Sequence, residues 1–181
     1  LFGTLSAEPA SHDISEVTVT KGGARAIDFD RSGGFSIDTV SRSGTSAFHG
    51  QVGYQFQSDA MSADLDSGSL SRYERNLDWL TANLGGPILK DTLYFYGSYY
   101  RPTQNRDNRS NLYGELPDYE STRNEYFGKL TFTPTQTLLL NASYRDSKRV
   151  DTASIFASHD PPTTGSGRDS RLKIATGDGS W

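Results

Sequence analysis

Between residues 48 and 144, short turns alternate with long polar connections, and strand-like segments separate them. The short connections each contain a proline, which suits turns better than sheet interiors because it has no amide hydrogen. The long connections have roughly 18–25 residues each, whereas unstructured loops above about 15 residues are uncommon in compact domains. The short connections are residues 85–91 and 134–136, and the long ones are residues 58–75, 101–123 and 146–170. This alternation is typical of a transmembrane β-barrel, with turns at one rim and long loops at the other.

The strand-like segments carry apolar side chains at alternate positions, which predicts strands with one apolar and one polar face. Residues 48–57, 124–133 and 138–145 follow this pattern, residues 93–100 are aromatic on both faces, and residues 77–84 follow it least well. We expect lipid to cover the apolar face. That face should hold Val52, Tyr54, Leu130, Phe132, Leu140 and Tyr144, and the lumen face should hold Gln51, Gln55, Lys129 and Asn141.

The composition agrees with a barrel wall. Only 34% of the 181 residues are hydrophobic, which a barrel tolerates because half of each strand faces a polar lumen. Cysteine is absent, which excludes disulfides and thiolate metal sites. The net charge of −4 gives no general attraction to nucleic acid. Because Leu1 does not begin a signal peptide, we expect the chain to be a piece of a longer protein.

Two stretches are specific enough to indicate a family. Residues 43–50, Ser-Gly-Thr-Ser-Ala-Phe-His-Gly, resemble the plug-to-barrel junction of TonB-dependent outer-membrane receptors of the Oar-like group. Residues 84–97, which begin Leu-Gly-Gly-Pro-Ile-Leu-Lys-Asp, resemble the second hairpin of the same group. The junction motif consists of Ser43, Gly44, Thr45, Phe48, His49 and Gly50, and the periplasmic turn motif of Gly85, Gly86, Pro87, Lys90 and Asp91.

The resemblance implies an all-β fold, an antiparallel meander that forms part of a transmembrane β-barrel and follows the C-terminal part of a plug domain. Residues 1–46 would belong to the plug, and residues 47–181 would supply about six barrel strands with long extracellular loops. Such a protein takes up a ligand across the outer membrane of a Gram-negative bacterium. It is not an enzyme and needs no cofactor. Its partners would be the TonB energy-coupling complex, through a segment outside this chain, outer-membrane lipid and lipopolysaccharide, and an unidentified extracellular ligand, but not nucleic acid.

The candidate ligand contacts lie in the second long connection, where arginines alternate with tyrosines. Guanidinium groups bind planar anions, and aromatic rings stack on sugars. The candidates are Arg101, Arg106, Arg109, Tyr113 and Tyr119. We predict no metal site, because His12, His49 and His159 share no ligand-like spacing.

Two other kinds of protein account for part of this pattern. A soluble β-sandwich that binds carbohydrate explains the strands and tyrosines, but it does not explain the alternating loop lengths. A small closed barrel that acts as an envelope enzyme needs a cluster of catalytic polar residues on adjacent strands, and the sequence offers none.

Overall fold

The computed structural model describes residues 11–21, 35–61, 75–108, 110–153, 156 and 159–181. Within them, eight strands form two separate sheets, one of two strands and one of six. The strands are β1 (Ile14–Lys21), β2 (Phe35–Ser41), β3 (His49–Gln57), β4 (Arg75–Leu89), β5 (Leu93–Arg106), β6 (Tyr119–Thr135), β7 (Leu138–Asp151) and β8 (Arg168–Ser180). Among the described residues, no helix is long and apolar enough to cross a membrane.

The larger sheet is an antiparallel meander in which β3 to β8 pair in chain order. Turns of two or three residues join β4 to β5 and β6 to β7, and long connections follow β3, β5 and β7. All the turns therefore lie at one end of the sheet and all the long connections at the other. The predicted all-β meander and its alternating connections are confirmed.

The two faces of this sheet differ as the sequence predicts. The face called outer here carries Val52, which is 77% exposed, Leu130, 46% exposed, and Leu140, 42% exposed. Tyr54, Phe132 and Tyr144, also predicted there, are exposed as well. The opposite, inner face carries Gln51, Gln55, Lys129 and Asn141, because side chains alternate along each strand.

The base of the β1–β2 hairpin contacts the inner face, whereas most of β1 is exposed. The Lys129 ammonium donates hydrogen bonds to the carbonyl and hydroxyl oxygens of Ser41, both at 3.2 Å. The Tyr96 hydroxyl donates to a carboxylate oxygen of Asp13 at 3.2 Å. Within the described residues, the base of the hairpin therefore contacts the polar face of the sheet, and the apolar face is left open. A sandwich would do the reverse, since it buries apolar faces between two sheets.

The strands extend further than predicted. Residues 101–106, 119–123, 146–151 and 168–170, expected in long loops, are strand residues, and so are residues 85–89, expected in a turn. We expect apolar alternation to end where lipid no longer covers the sheet, whereas backbone hydrogen bonds need no apolar side chains and continue. The second and third long connections are correspondingly shorter, at residues 107–118 and 152–167.

Because we expect lipid to cover the outer face, a charge placed there should be costly only within the apolar band. Leu130→Lys should destabilise the protein by about 2–4 kcal/mol, whereas Val150→Lys, on the same face nearer the long connections, should cost about 0–1 kcal/mol. Denaturant unfolding of the full-length protein in phospholipid vesicles measures both. Equal costs would contradict a lipid-covered face.

Candidate functional site

The junction motif connects the hairpin to the first strand of the large sheet. The Thr45 hydroxyl donates a hydrogen bond to the Ala47 carbonyl at 3.0 Å and lies 3.1 Å from His49 Nδ1. The same histidine nitrogen is 3.2 Å from the Ala47 carbonyl. These contacts fold the connection into a local hydrogen-bonded turn that leads directly into β3.

The junction motif and the turn motif meet in space. A Cβ atom on Gly44 would lie 2.2 Å from the Phe95 carbonyl oxygen and 2.9 Å from that of Gly86. On the other side of the sheet, a Cβ atom on Gly86 would lie 2.4 Å from the Phe48 ring. Glycine is needed at both positions because backbone or an aromatic ring occupies the space of a side chain. The chain thereby crosses from the inner face to β3.

The turn motif closes the β4–β5 hairpin. Asp91 has a φ of 59°, in the left-handed region that aspartate tolerates better than most residues. The Thr92 amide donates to the Leu89 carbonyl at 3.2 Å and closes the turn. A register shift separates Pro87 from Leu89, where proline can donate no ladder hydrogen bond. Lys90 lies exposed in the turn itself.

A buried ionic cluster holds the hairpin to the inner face. Asp13, from the hairpin side, is 1% exposed, and Glu125 and Arg145, from β6 and β7, are 2% and 8% exposed. Arg145 pairs with Glu125 through Nη1 and with Asp13 through Nη2, the latter at 3.5 Å. Tyr96 donates to Asp13 from β5. One guanidinium thus bridges a carboxylate of the hairpin and a carboxylate of the wall.

Aromatic rings and a second arginine surround this cluster. The Arg145 guanidinium lies 4.6 Å from the centre of the Phe127 ring, and Arg123 lies 5.4 Å from that of Tyr100. Arg123 also pairs with the free oxygen of Glu125 at 3.3 Å. Stacked rings exclude water from the ion pairs, which strengthens them.

Sequence reasoning missed the cluster. Glu125 and Arg145 lie on the polar face of two segments that alternate clearly. The sequence could therefore have indicated that these charges face the lumen. Asp13 gave no comparable indication. Its contacts with Tyr96 and Arg145 span 83 and 132 positions of the chain.

The candidate ligand contacts do not form one surface. Arg106 and Tyr119 pair across β5 and β6 on the inner face. Arg101 is exposed on the outer face, at the opposite side of the wall. Tyr113 is exposed in a tight turn closed by Asn111 and Gly114. Arg109 lies outside the described residues.

Tyr119 belongs to a polar network at the base of the long connections. Its hydroxyl accepts a hydrogen bond from Arg149 at 3.2 Å and lies 3.5 Å from Asp151. Burial raises the pKa of Asp151, but hydrogen bonds from Ser121 and Arg149, with the charges of Arg149 and Arg168, outweigh it and hold the pKa below its ordinary value. The ionised carboxylate therefore stabilises this region fully at pH values above its ordinary pKa. This stabilisation is lost as the pH falls through the lowered pKa of the folded protein.

Within the described part of the chain, no three histidine, cysteine or acidic side chains form a group that could hold a metal ion. His12 lies beside Asp13, with Nε2 3.3 Å from the carboxylate, and its ring is 5.3 Å from that of Tyr100. His49 belongs to the junction turn, and His159 lies in the connection before β8.

Residues 40–169 match the family model described as "Outer membrane beta barrel domain". This match agrees with the antiparallel sheet and its exposed apolar outer face. The chain belongs to this outer-membrane barrel family. It is also 33% identical over 106 residues to the TonB-dependent transporter Oar of Myxococcus xanthus, an alignment that covers 54% of the chain and 10% of that relative. No solved structure matches the chain.

These matches confirm the resemblance to Oar-like TonB-dependent receptors and the location in the outer membrane of a Gram-negative bacterium. The outer face of this barrel-family sheet is therefore its lipid-facing surface. We expect the long connections at the extracellular rim and the short turns at the periplasmic rim, as is usual in outer-membrane barrels.

The two glycine contacts predict different responses to substitution. Gly86→Ala should cost about 1–3 kcal/mol by overpacking against Phe48, and Phe48→Ala in the same chain should remove most of that cost. Gly44→Ala should not be rescued by Phe48→Ala, because the obstructing atoms are backbone. Thermal unfolding in detergent measures each variant. Equal rescue of both would contradict the close approach at Gly44.

The buried cluster predicts an unequal cost for two arginine substitutions. Arg145→Met leaves Asp13 and Glu125 buried without their shared partner, which should cost about 3–5 kcal/mol. Arg171→Met, which removes an exposed pair with Asp146, should cost much less, because solvent screens that pair.

Denaturant unfolding gives both costs, and hydrogen exchange of the β1 amides reports the hairpin itself. Exchange in β1 should accelerate in Arg145→Met and remain unchanged in Arg171→Met. Unchanged β1 exchange in Arg145→Met would show that the cluster does not hold the hairpin.

Proposed function

We propose that this chain is the plug-to-barrel region of a TonB-dependent receptor that takes up a ligand across the outer membrane. Residues 1–46 form the end of the plug, and residues 47–181 form the first strands of the wall. The alignment with Oar, a TonB-dependent transporter, supports this assignment. The observation that carries it is the hairpin whose base is joined to the polar face of a barrel-family sheet by Asp13 and Arg145.

The transported ligand enters from the rim that carries the long connections. Arg106, Arg109 and Tyr113 remain the proposed contacts, because Arg106 faces inward and Tyr113 is exposed at the extracellular end. Tyr119 supports the wall through Arg149 and Asp151, and Arg101 faces lipid. The ligand class stays open among siderophores, carbohydrates, peptides and similar molecules.

The proposed transport step is movement of the plug rather than a covalent reaction. The ionic cluster must hold the plug at rest and yield when TonB pulls. When the plug moves, water can replace the ion pairs between the plug and the wall. This exchange is feasible because every charge in the cluster has a partner, so no isolated charge is buried before or after the movement. The protein therefore acts as a transporter and not as an enzyme.

The test that needs no knowledge of the ligand is binding to TonB. The purified full-length protein in detergent should bind the periplasmic domain of TonB, whereas a porin from the same membrane should not. Cells that produce the full-length protein should also accumulate one of four labelled compounds, a ferric siderophore, cobalamin, a maltodextrin or a peptide, only when TonB is functional. Failure to bind TonB, or accumulation without TonB, would contradict the proposal.

A further inference from the structure

His12 is a titratable residue at the base of the hairpin that the proposed transport step does not use. Its Nε2 atom lies 3.3 Å from a carboxylate oxygen of Asp13, and within the described ranges this nitrogen is buried without a hydrogen-bond partner. The Tyr96 hydroxyl lies 3.5 Å from the His12 carbonyl oxygen, and the Tyr100 ring lies 5.3 Å from the imidazole. The imidazole therefore lies where the base of the hairpin meets β5.

The buried cluster beside His12 is electrically balanced while the imidazole is neutral. Its ion pairs join two carboxylates to two guanidinium groups. Protonation of the imidazole adds a positive charge to this balanced set. A buried charge without a partner of its own is costly, so the cluster opposes a charged His12 as long as the base of the hairpin stays in place. The paired groups are Asp13, Glu125, Arg123 and Arg145.

Attraction between a charged His12 and Asp13 does not remove this cost. Asp13 already pairs with Arg145, so a second cation on the same carboxylate competes with that guanidinium group. Two more cations, Arg42 and Lys129, donate hydrogen bonds to carbonyl oxygens of the same base, at 3.4 and 3.2 Å. Among the described residues, positive charges at the base therefore outnumber carboxylates before His12 takes up a proton.

We propose that His12 is a pH-sensitive release for the hairpin. When the imidazole takes up a proton, it competes for Asp13, weakens the pair with Arg145 and lets the base of the hairpin separate more readily from the wall. Histidine suits this role because its charge ordinarily changes between about pH 5 and 8. Water solvates the charged imidazole once the hairpin has separated, so the separated state binds the proton more tightly and gains population as the pH falls.

This inference rests on the proposed role of the hairpin as the end of the plug. The attachment itself can be measured without TonB and without a ligand. An absent pH effect together with intact TonB binding therefore rejects this inference alone, whereas loss of TonB binding rejects the proposed function.

Hydrogen exchange in the full-length protein in detergent tests the proposal. The readouts are the protection factors of the β1 amides and of the Arg42 amide, which donates to the Asp13 carbonyl at 2.8 Å. Protection factors are corrected for the intrinsic effect of pH on exchange. They should fall about tenfold between pH 8 and pH 5.5, since one proton changes an equilibrium by at most about tenfold per pH unit. Protection in β4 should stay constant, because the wall remains folded.

Three kinds of variant assign the effect to one side chain. His12→Gln cannot take up a proton and should keep the protection of the wild type at pH 8 at both pH values, as should the second neutral variant, His12→Asn. His12→Lys carries a positive charge throughout and should show low protection at both. His159→Gln removes an exposed histidine in the connection before β8 and is the matched control, which should respond to pH as the wild type does.

Constant protection in β4 verifies that each variant folds. Equal pH responses in the wild type and the neutral variants would assign the effect to other groups and overturn the proposal. Protection of β1 that rises in acid would show that the proton strengthens the attachment, which also overturns it. Loss of the pH response in His159→Gln would contradict the assignment to His12.

Discussion

Backbone hydrogen bonding in hydrocarbon is the constraint on which this structure depends. Lipid offers no partner for an amide or a carbonyl, so each strand must satisfy these groups through its neighbours. The meander of β3 to β8 does so with nearly continuous antiparallel ladders. Register shifts lie close to the short turns, between Pro87 and Leu89 and between Phe132 and Thr135, and the β5–β6 ladder also lacks pairs at Arg101 and Pro102. Side chains are then free to be apolar toward lipid and polar toward the lumen.

Because the apolar face of the sheet points to lipid, charged side chains of the sheet are buried on the inner face. Glu125 and Arg145 could not remain buried there without compensation. Asp13 completes the compensation from the hairpin side, and Tyr96 and Phe127 shield the pairs. The contacts that hold the hairpin in place are therefore the same contacts that make the charged wall tolerable. An ionic attachment can also be exchanged for water, which a packed hydrophobic interface cannot do without exposing apolar surface.

Close approach of backbone segments determines the junction. Gly44 lies on the backbone of Phe95 and Gly86, and Gly86 in turn lies under Phe48. Two motifs that lie about forty residues apart in the sequence thus form one contact, which explains the glycine at each of these two positions. The local turn of Thr45, Ala47 and His49 directs the chain into β3 at this point.

The pattern of residues along the chain was enough to predict the sheet and which of its faces is apolar, because lipid requires an apolar residue at every second position and proline and glycine mark the turns. It did not determine the strand ends. Beyond the apolar band neither face must be apolar, so residues such as Arg106 and Tyr119 read as loop although their backbones are paired. Leu77 also departs from the pattern. It lies buried on the inner face, although the alternation of apolar and polar residues predicts polar side chains on that face.

The contacts of the inner face, and the surfaces on which the candidate residues lie, became apparent only in the folded chain. The partnership of Asp13 with Arg145 depends on how the hairpin enters the lumen, and no local pattern encodes a contact across 132 positions. Likewise, Arg101 and Arg106 look equivalent in sequence, yet strand alternation sends one toward lipid and the other inward. The alternation of apolar and polar side chains involves neighbouring residues and can be recognised in the sequence. The pairing of distant charges depends on the three-dimensional path of the chain that brings them together.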